Sequence, residues 1–281
     1  MNTPIVELFT ISTLHDDVDW RELVATQHCA YLDRKCVKVR KSQPEISIGT
    51  CSVKHSVKQP QDVMICPHRF LERGQIFLDC LHLLTLHEPG NEIHRLAEIE
   101  IPGGSVDYFL VSVHDGKVVD FVGIELQALD TTGTLWPARQ KFLDSMGLAV
   151  ADGLDSTSSY GMNWKMTAKT TLVQLHHKVE TFEGLGKHLV LVLQDGLLDY
   201  MRREFNFGHI QDAKLGNAMH FHAYSLQQRE YDYRINMVSR SSTDANGIAS
   251  SLGLQMSANV ELEVILSLLQ SKISSRTLLR I

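Results

Sequence analysis

From residue 98 the pattern becomes strand-like: apolar and polar positions alternate over 98–102, and the β-branched and aromatic stretches 106–113 and 118–128 also read as strands. His114-Asp115-Gly116 supplies a turn between the last two, so the three segments predict a meander. Helical spacing runs over 75–87 until Glu88-Pro89-Gly90-Asn91 breaks it. It returns over 164–182, where Leu172, Leu175, Val179 and Phe182 share a face. A continuous apolar run over 188–193, ending at Gln194-Asp195-Gly196, predicts a buried strand. A second helix follows over 197–205, and 258–269 predicts a late helix rich in Leu and Val. Residues up to about Cys80 differ. Turn signals at Gln43-Pro44, Gly49, Gln59-Pro60 and Cys66-Pro67 cut them into short apolar pieces, as in a small module held by something other than a core. The pattern predicts an α/β protein with a mixed sheet, divided into an N-terminal segment, 1–85, and a larger domain, 86–281.

Composition allows one large core or one core plus a satellite module: 43% of the 281 residues are hydrophobic. No apolar run is long enough to span a bilayer, and the first 14 residues lack the charge order of a secretory signal. A cytoplasmic, reducing location is expected, where five cysteines are thiols or metal ligands rather than disulfides. The net charge of -6 argues against coating nucleic acid by bulk charge. Residues 34–73 nevertheless hold nine basic and three acidic side chains, so affinity for a polyanion is focused there. Lys38, Arg40, Lys41, Arg69 and Arg73 are candidates for phosphate or guanine contacts, although a solvated surface face has the same composition.

Cys29, Cys36, Cys51 and Cys66 occupy this part of the chain, with gaps of 6, 14 and 14 residues that lack the tight CxxC pair of most zinc motifs. Four cysteines in a Pro-punctuated segment with little apolar content suggest a cross-link, and tetrathiolate coordination suits Zn or Fe. Cys80, in an apolar helix-like setting, reads as a core thiol.

The meander carries the candidate chemistry. Glu125 and Gln127 share a strand face, with Leu126 on the other. Asp107 joins them only if the pairing register allows it, because a slip of one residue reverses every side chain. A two-residue loop at Asp115-Gly116 places Asp107 opposite Ile124, on the wrong face. A three-residue loop with Gly116 as a left-handed bulge places it opposite Gly123, on the shared face. Convergence thus requires an odd-length loop or a bulge. Two carboxylates so placed offer hard oxygens to a divalent cation such as Mg²⁺, which relieves their repulsion. Ordinary polar residues on a solvated hairpin face would show the same spacing. Glu98 or Glu92 is a further carboxylate candidate, with Glu98 preferred because it enters the sheet just before Asp107.

Two stretches carry a family resemblance. They are Gly103-Gly104-Ser105-Val106-Asp107-Tyr108-Phe109-Leu110-Val111 and Asp120-Phe121-Val122-Gly123-Ile124-Glu125-Leu126-Gln127-Ala128-Leu129-Asp130-Thr131-Thr132-Gly133. Together they resemble the catalytic core of NotI-type restriction endonucleases, of the PD-(D/E)XK superfamily. The resemblance extends to Ile65-Cys66-Pro67-His68-Arg69-Phe70-Leu71 and Gln174-Leu175-His176-His177-Lys178, and covers most of residues 25 to 200. It implies a PD-(D/E)XK fold, a mixed sheet flanked by helices, and Mg²⁺-dependent, sequence-specific hydrolysis of double-stranded DNA. The superfamily's motif lysine is replaced by glutamine in the NotI group, as at Gln127. The resemblance further implies a four-cysteine metal site, Fe or Zn, in the N-terminal part and a homodimer on a palindromic site.

Other chemistries find little support. Gly184-Leu185-Gly186-Lys187 lacks the first glycine of a phosphate loop and a following Ser or Thr, so no nucleotide cofactor is expected. His176 and His177 diverge on their helix, and His220-Phe221-His222 reads as a core or surface pair. Two alternatives stay open at this level. One is a non-catalytic DNA-binding protein built on the metal module, and the other a structure-specific repair nuclease with the same core.

Overall fold

A computed structural model describes residues 3–56, 60–101, 104–150, 154 and 160–254. The late helix expected over 258–269 lies outside the described residues.

The N-terminal segment is more regular than its turn signals suggest. Strands β1 (Ile5–Leu8), β2 (Ile11–Ser12), β3 (Thr50–Ser56) and β4 (Pro60–Met64) form an antiparallel sheet in the order β2-β1-β3-β4. Between β2 and β3 the chain makes helix α1 (Trp20–Thr26), whose first N–H groups are capped by the Asp19 carboxylate. Two short antiparallel ladders follow, pairing Cys29 with Arg34 and Arg40 with Gln43. Ile5, Leu8, Val53 and Val63 are buried in the same apolar cluster as the central sheet. No separate cysteine module therefore stands apart from the core among the described residues. The sequence pattern hides this because β1 pairs with β3 some 45 residues later, and such short strands show no periodicity of their own.

After a 3₁₀ segment (Pro67–Gly74) and helix α2 (Gln75–Cys80) comes the central sheet. Its members are β5 (Glu92–Ile101), β6 (Gly104–His114), β7 (Lys117–Gln127), β8 (His188–Gln194), β9 (Gln211–Asp212), β10 (Met219–Arg229) and β11 (Asp232–Thr243). The spatial order is β9-β11-β10-β8-β7-β6-β5. Strands β7, β8 and β10 run parallel and the remaining pairs antiparallel. Every residue of β8 is buried, as its unbroken apolar run predicts for a central strand. The β10–β11 hairpin is not legible in the sequence, since its polar positions interrupt the alternation.

Helices α3 (Trp136–Ser145), α4 (Trp164–Gly184), α5 (Asp195–Glu204) and α6 (Ala245–Ser251) complete the described chain. Alternation divides β7 between two apolar layers. Val122, Ile124 and Leu126 pack with Phe70, Ile76 and Phe77, while α4 covers the opposite face. Among the described residues no helix is long and apolar enough to cross a membrane.

A buried ionic network joins the two sheets. Arg69, in the 3₁₀ segment, donates from Nε to both Glu7 oxygens on β1 (3.0 and 2.8 Å). Its Nη1 donates to Glu72 (2.8 Å) and its Nη2 to the Tyr233 carbonyl of β11 (2.9 Å). Glu72 also accepts from Arg234 (2.8 Å) and from the Ile235 N–H (3.0 Å).

Candidate active site

Strands β6 and β7 are joined by the two-residue turn Asp115-Gly116, with φ values of 47° and 71° as a type I′ hairpin requires. That turn alone would leave Asp107 on the wrong face. The ladder, however, shifts by one residue: Val113 pairs with Val118 but Ser112 with Asp120, leaving Val119 as a bulge. Beyond the bulge the register runs to Tyr108 opposite Ile124, which carries Asp107 opposite Glu125. The shift comes from the bulge and has the opposite sense to a three-residue loop, so Asp107 meets Glu125 rather than Gly123. Asp107 Oδ2 accepts the Leu126 N–H at 2.8 Å, which ties its carboxylate to the strand bearing Glu125.

On its other side Asp107 faces β5. Ile99 pairs with Val106 and Ala97 with Tyr108, so Glu98 falls across from Asp107. Glu98 has a left-handed backbone (φ 55°) and an exposed side chain at the sheet edge. Glu92 pairs with Val113 at the far end of β5, roughly 20 Å along the strand from Glu98. Glu98, not Glu92, is therefore the carboxylate beside Asp107.

Helix α4 is laid on this face by a close approach. A Cβ on Gly123 would lie 2.4 Å from the Phe182 ring, so only glycine lets the helix sit so near. The helix and β7 then keep step, since four helical residues (about 6 Å) match two strand residues (about 6.6 Å). With Phe182 over Gly123, Lys178 four residues back reaches Glu125, and Thr171, two further turns back, meets the Gln127 side chain. Lys178 Nζ donates to Glu125 Oε1 at 2.6 Å and to the Ser105 carbonyl on β6. Thr171 Oγ1 lies 2.9 Å from Gln127 Oε1, and Gln127 Nε2 donates to the Ala128 carbonyl at 2.6 Å. Burial raises the Glu125 pKa to about 7, against the hydrogen bond and charge of Lys178, and the Asp107 carboxylate adds to the rise. A carboxylate pair so placed is stabilised by a cation.

The cysteines gather without closing on a site. Cys29, Cys51 and Cys66 are buried and Cys36 is partly buried. Burial pushes the Cys29 thiol up, partly offset by the N–H groups of Leu32 and Tyr31. It pushes Cys66 up to about 11, offset by the Lys38 ammonium and the His68 N–H. Cys51 is raised first by burial and then by the charge of Cys66, and Cys66 in turn feels Cys36 and Cys29. Among the described residues, however, no group of three or more His, Cys, Asp or Glu side chains is assembled to hold a metal ion.

The basic candidates divide. Lys41 and Arg73 are exposed, Lys38 donates to the Ile65 carbonyl (2.9 Å), and Arg40 bonds Gln43 (2.6 Å) and stacks over Trp136. Arg69 is corrected: its side chain is 0% exposed and committed to Glu7 and Glu72, which leaves nothing to offer a phosphate. Cys80 is a fully buried core thiol. His220 and His222 are buried, the former bonded to the Asn217 carbonyl (2.9 Å).

Two residues near the carboxylates had no assigned part in them. Lys178 could have been found from its position four residues before Phe182, on the same helical face. His68, two residues after Cys66, lies within the field of Asp107 and Glu98, which raise its pKa against the larger lowering by burial.

A family model described as restriction endonuclease NotI matches residues 25–232, a stretch that includes the four cysteines, Asp107, Glu125, Gln127 and Lys178. No curated protein matches the chain.

Proposed function

Since the chain belongs to the NotI restriction endonuclease family, type II enzymes that cleave DNA, we propose that Asp107 and Glu125 form its hydrolytic centre. The observation that carries this assignment is the bulge at Val119, opposite Ser112 and Val113, beyond which the register brings Asp107 opposite Glu125. The family implies divalent metal catalysis, and the donors fit: hard carboxylate oxygens, one on a residue whose burial disfavours an uncompensated charge. We assign the ion as Mg²⁺, held by Asp107 and Glu125 with Glu98 as a further carboxylate. An ion held there would lower the pKa of a bound water and offset negative charge developing on the phosphate.

The chain's own groups do the positioning. The Leu126 N–H fixes the Asp107 carboxylate. Gln127 cannot act as a base at neutral pH, but its amide can orient a water on the face it shares with Glu125. Residues 1–85 are assigned the DNA-contacting role through Lys38, Arg40, Lys41 and Arg73, and residues 86–281 the hydrolysis.

The working unit is a homodimer, because one hairpin supplies one centre while a duplex presents two antiparallel scissile phosphates. Incubation with a supercoiled plasmid in Mg²⁺ is expected to give discrete linear fragments, and EDTA to prevent them. A smear would contradict site specificity, and nicked circles as the final product would contradict the dimer.

Cys29, Cys36, Cys51 and Cys66 are assigned one structural Fe or Zn. Support comes from the family match, whose stretch includes all four, and from the burial of Cys29, Cys51 and Cys66. Elemental analysis after chelator-free anaerobic purification should find about one equivalent per chain. Iron would colour the protein red through thiolate charge transfer, and zinc would leave it colourless. A metal-free protein whose N-terminal segment still resists protease would remove the assignment.

A further inference from the structure

The strand that carries Glu125 brings no cation to it. The residue two positions on, and on the same face, is Gln127, which is occupied with Thr171 and Ala128. The cation beside Glu125 comes from α4. Lys178 is 7% exposed, and a buried ammonium is costly unless it is paired and hydrogen-bonded. Both conditions are met at one place, since Nζ bridges Glu125 Oε1 on β7 and the Ser105 carbonyl on β6. The bridge lies beyond Tyr108–Ile124, the last pair of the β6–β7 ladder among the described residues. Lys178 thus ties the two strands together where they present Asp107 and Glu125. Gly104 makes room for it, because a Cβ there would stand 3.3 Å from Lys178 Cε.

We propose that Lys178 is a positioning residue of the hydrolytic centre, contributed by α4, which holds the Glu125 carboxylate facing Asp107 and supplies the positive charge that Gln127 lacks. This rests on the reading of Asp107 and Glu125 as that centre. An ammonium is a compact point charge with three donors, so it can hold one carboxylate oxygen and leave the other to a further ligand. Methionine keeps the stem and its packing but loses the bridge.

The test compares wild type with Lys178→Met, Lys178→Arg and the double variant Gln127→Lys/Lys178→Met in single-turnover cleavage at saturating Mg²⁺. DNA affinity in EDTA and thermal melting accompany each measurement. K178M should lose at least about a hundredfold in the cleavage rate constant, the scale of a lost positioned group, with DNA affinity unchanged. The arginine variant and the relocated lysine should each recover part of that loss, because either returns a cation to Glu125. Crystal structures in EDTA provide a readout independent of turnover: Glu125 should leave its orientation in K178M and regain it in the double variant. Cleavage by K178M at the wild-type rate overturns the proposal. So does an unmoved Glu125, or a loss that neither cationic variant reverses. Inactive Asp107→Ala beside active K178M would remove Lys178 alone, whereas active Asp107→Ala would remove the centre itself.

Discussion

Replacing Asp107 or Glu125 with alanine should abolish Mg²⁺-dependent cleavage while leaving DNA binding detectable. The expected loss exceeds a thousandfold, about 4 kcal/mol of barrier, because metal-assisted hydrolysis has no substitute elsewhere in the site. Either change also removes a partner: Asp107→Ala frees the Leu126 N–H, and Glu125→Ala leaves Lys178 with the Ser105 carbonyl. Glu125→Ala removes the carboxylate partner of the buried Lys178 ammonium, so Glu125→Gln, which keeps an acceptor there, accompanies it and thermal melting checks that each variant folds. Gel-shift titration in EDTA and cleavage in Mg²⁺ separate the two readouts. Near-normal cleavage by either variant would end the assignment. Gln127→Ala should slow the reaction less, since an orienting amide is lost while the carboxylates stay.

Arg69→Ala should destabilise the protein by about 3–5 kcal/mol, the usual consequence of stranding a buried charge. Burial already pushes the Glu7 carboxyl up, and the Arg69 guanidinium with the Ser52 hydroxyl opposes that rise. Glu72 is also pushed up by burial, but its bonds to Arg69, Ile235 and Arg234 outweigh this and hold it below the usual range. Alanine removes the one cation that, among the described residues, touches both. Lysine should restore only part of the loss, because a point charge cannot replace a guanidinium donating in three directions. Urea unfolding of the three proteins measures the effect. An alanine variant as stable as wild type would show that the network contributes nothing net, and Glu7→Gln combined with Arg69→Met tests whether a neutral replacement is tolerated. Since Arg69 ties β1 to β11 through Tyr233, its loss should also loosen the packing between the two sheets.

Several features were settled by local chemistry, which the chain carries in its own order. The alternation around Asp107 and Glu125, the breaker Glu88-Pro89-Gly90-Asn91 and the apolar runs of α4 and β8 need only a period of two or 3.6 residues to be read. The sharing of a face by Glu125 and Gln127 is of the same kind, and so is the family resemblance carried by the residues around them. Whether Asp107 joins that face was left to register, and register depended on a bulge at Val119 that no residue type announces. Arg69 looked like its basic neighbours until Glu7, 62 positions earlier, was placed beside it. Lys178 met Glu125 across 53 positions, because Gly123 has no side chain to hold Phe182 and its helix away. Periodicity, breakers and composition are properties of neighbours along the chain, and the sequence alone determined them. The pairing of distant strands, the burial of one arginine among five basic candidates and the delivery of a lysine to a carboxylate depend on which surfaces are excluded from water together, and only the tertiary structure decides that.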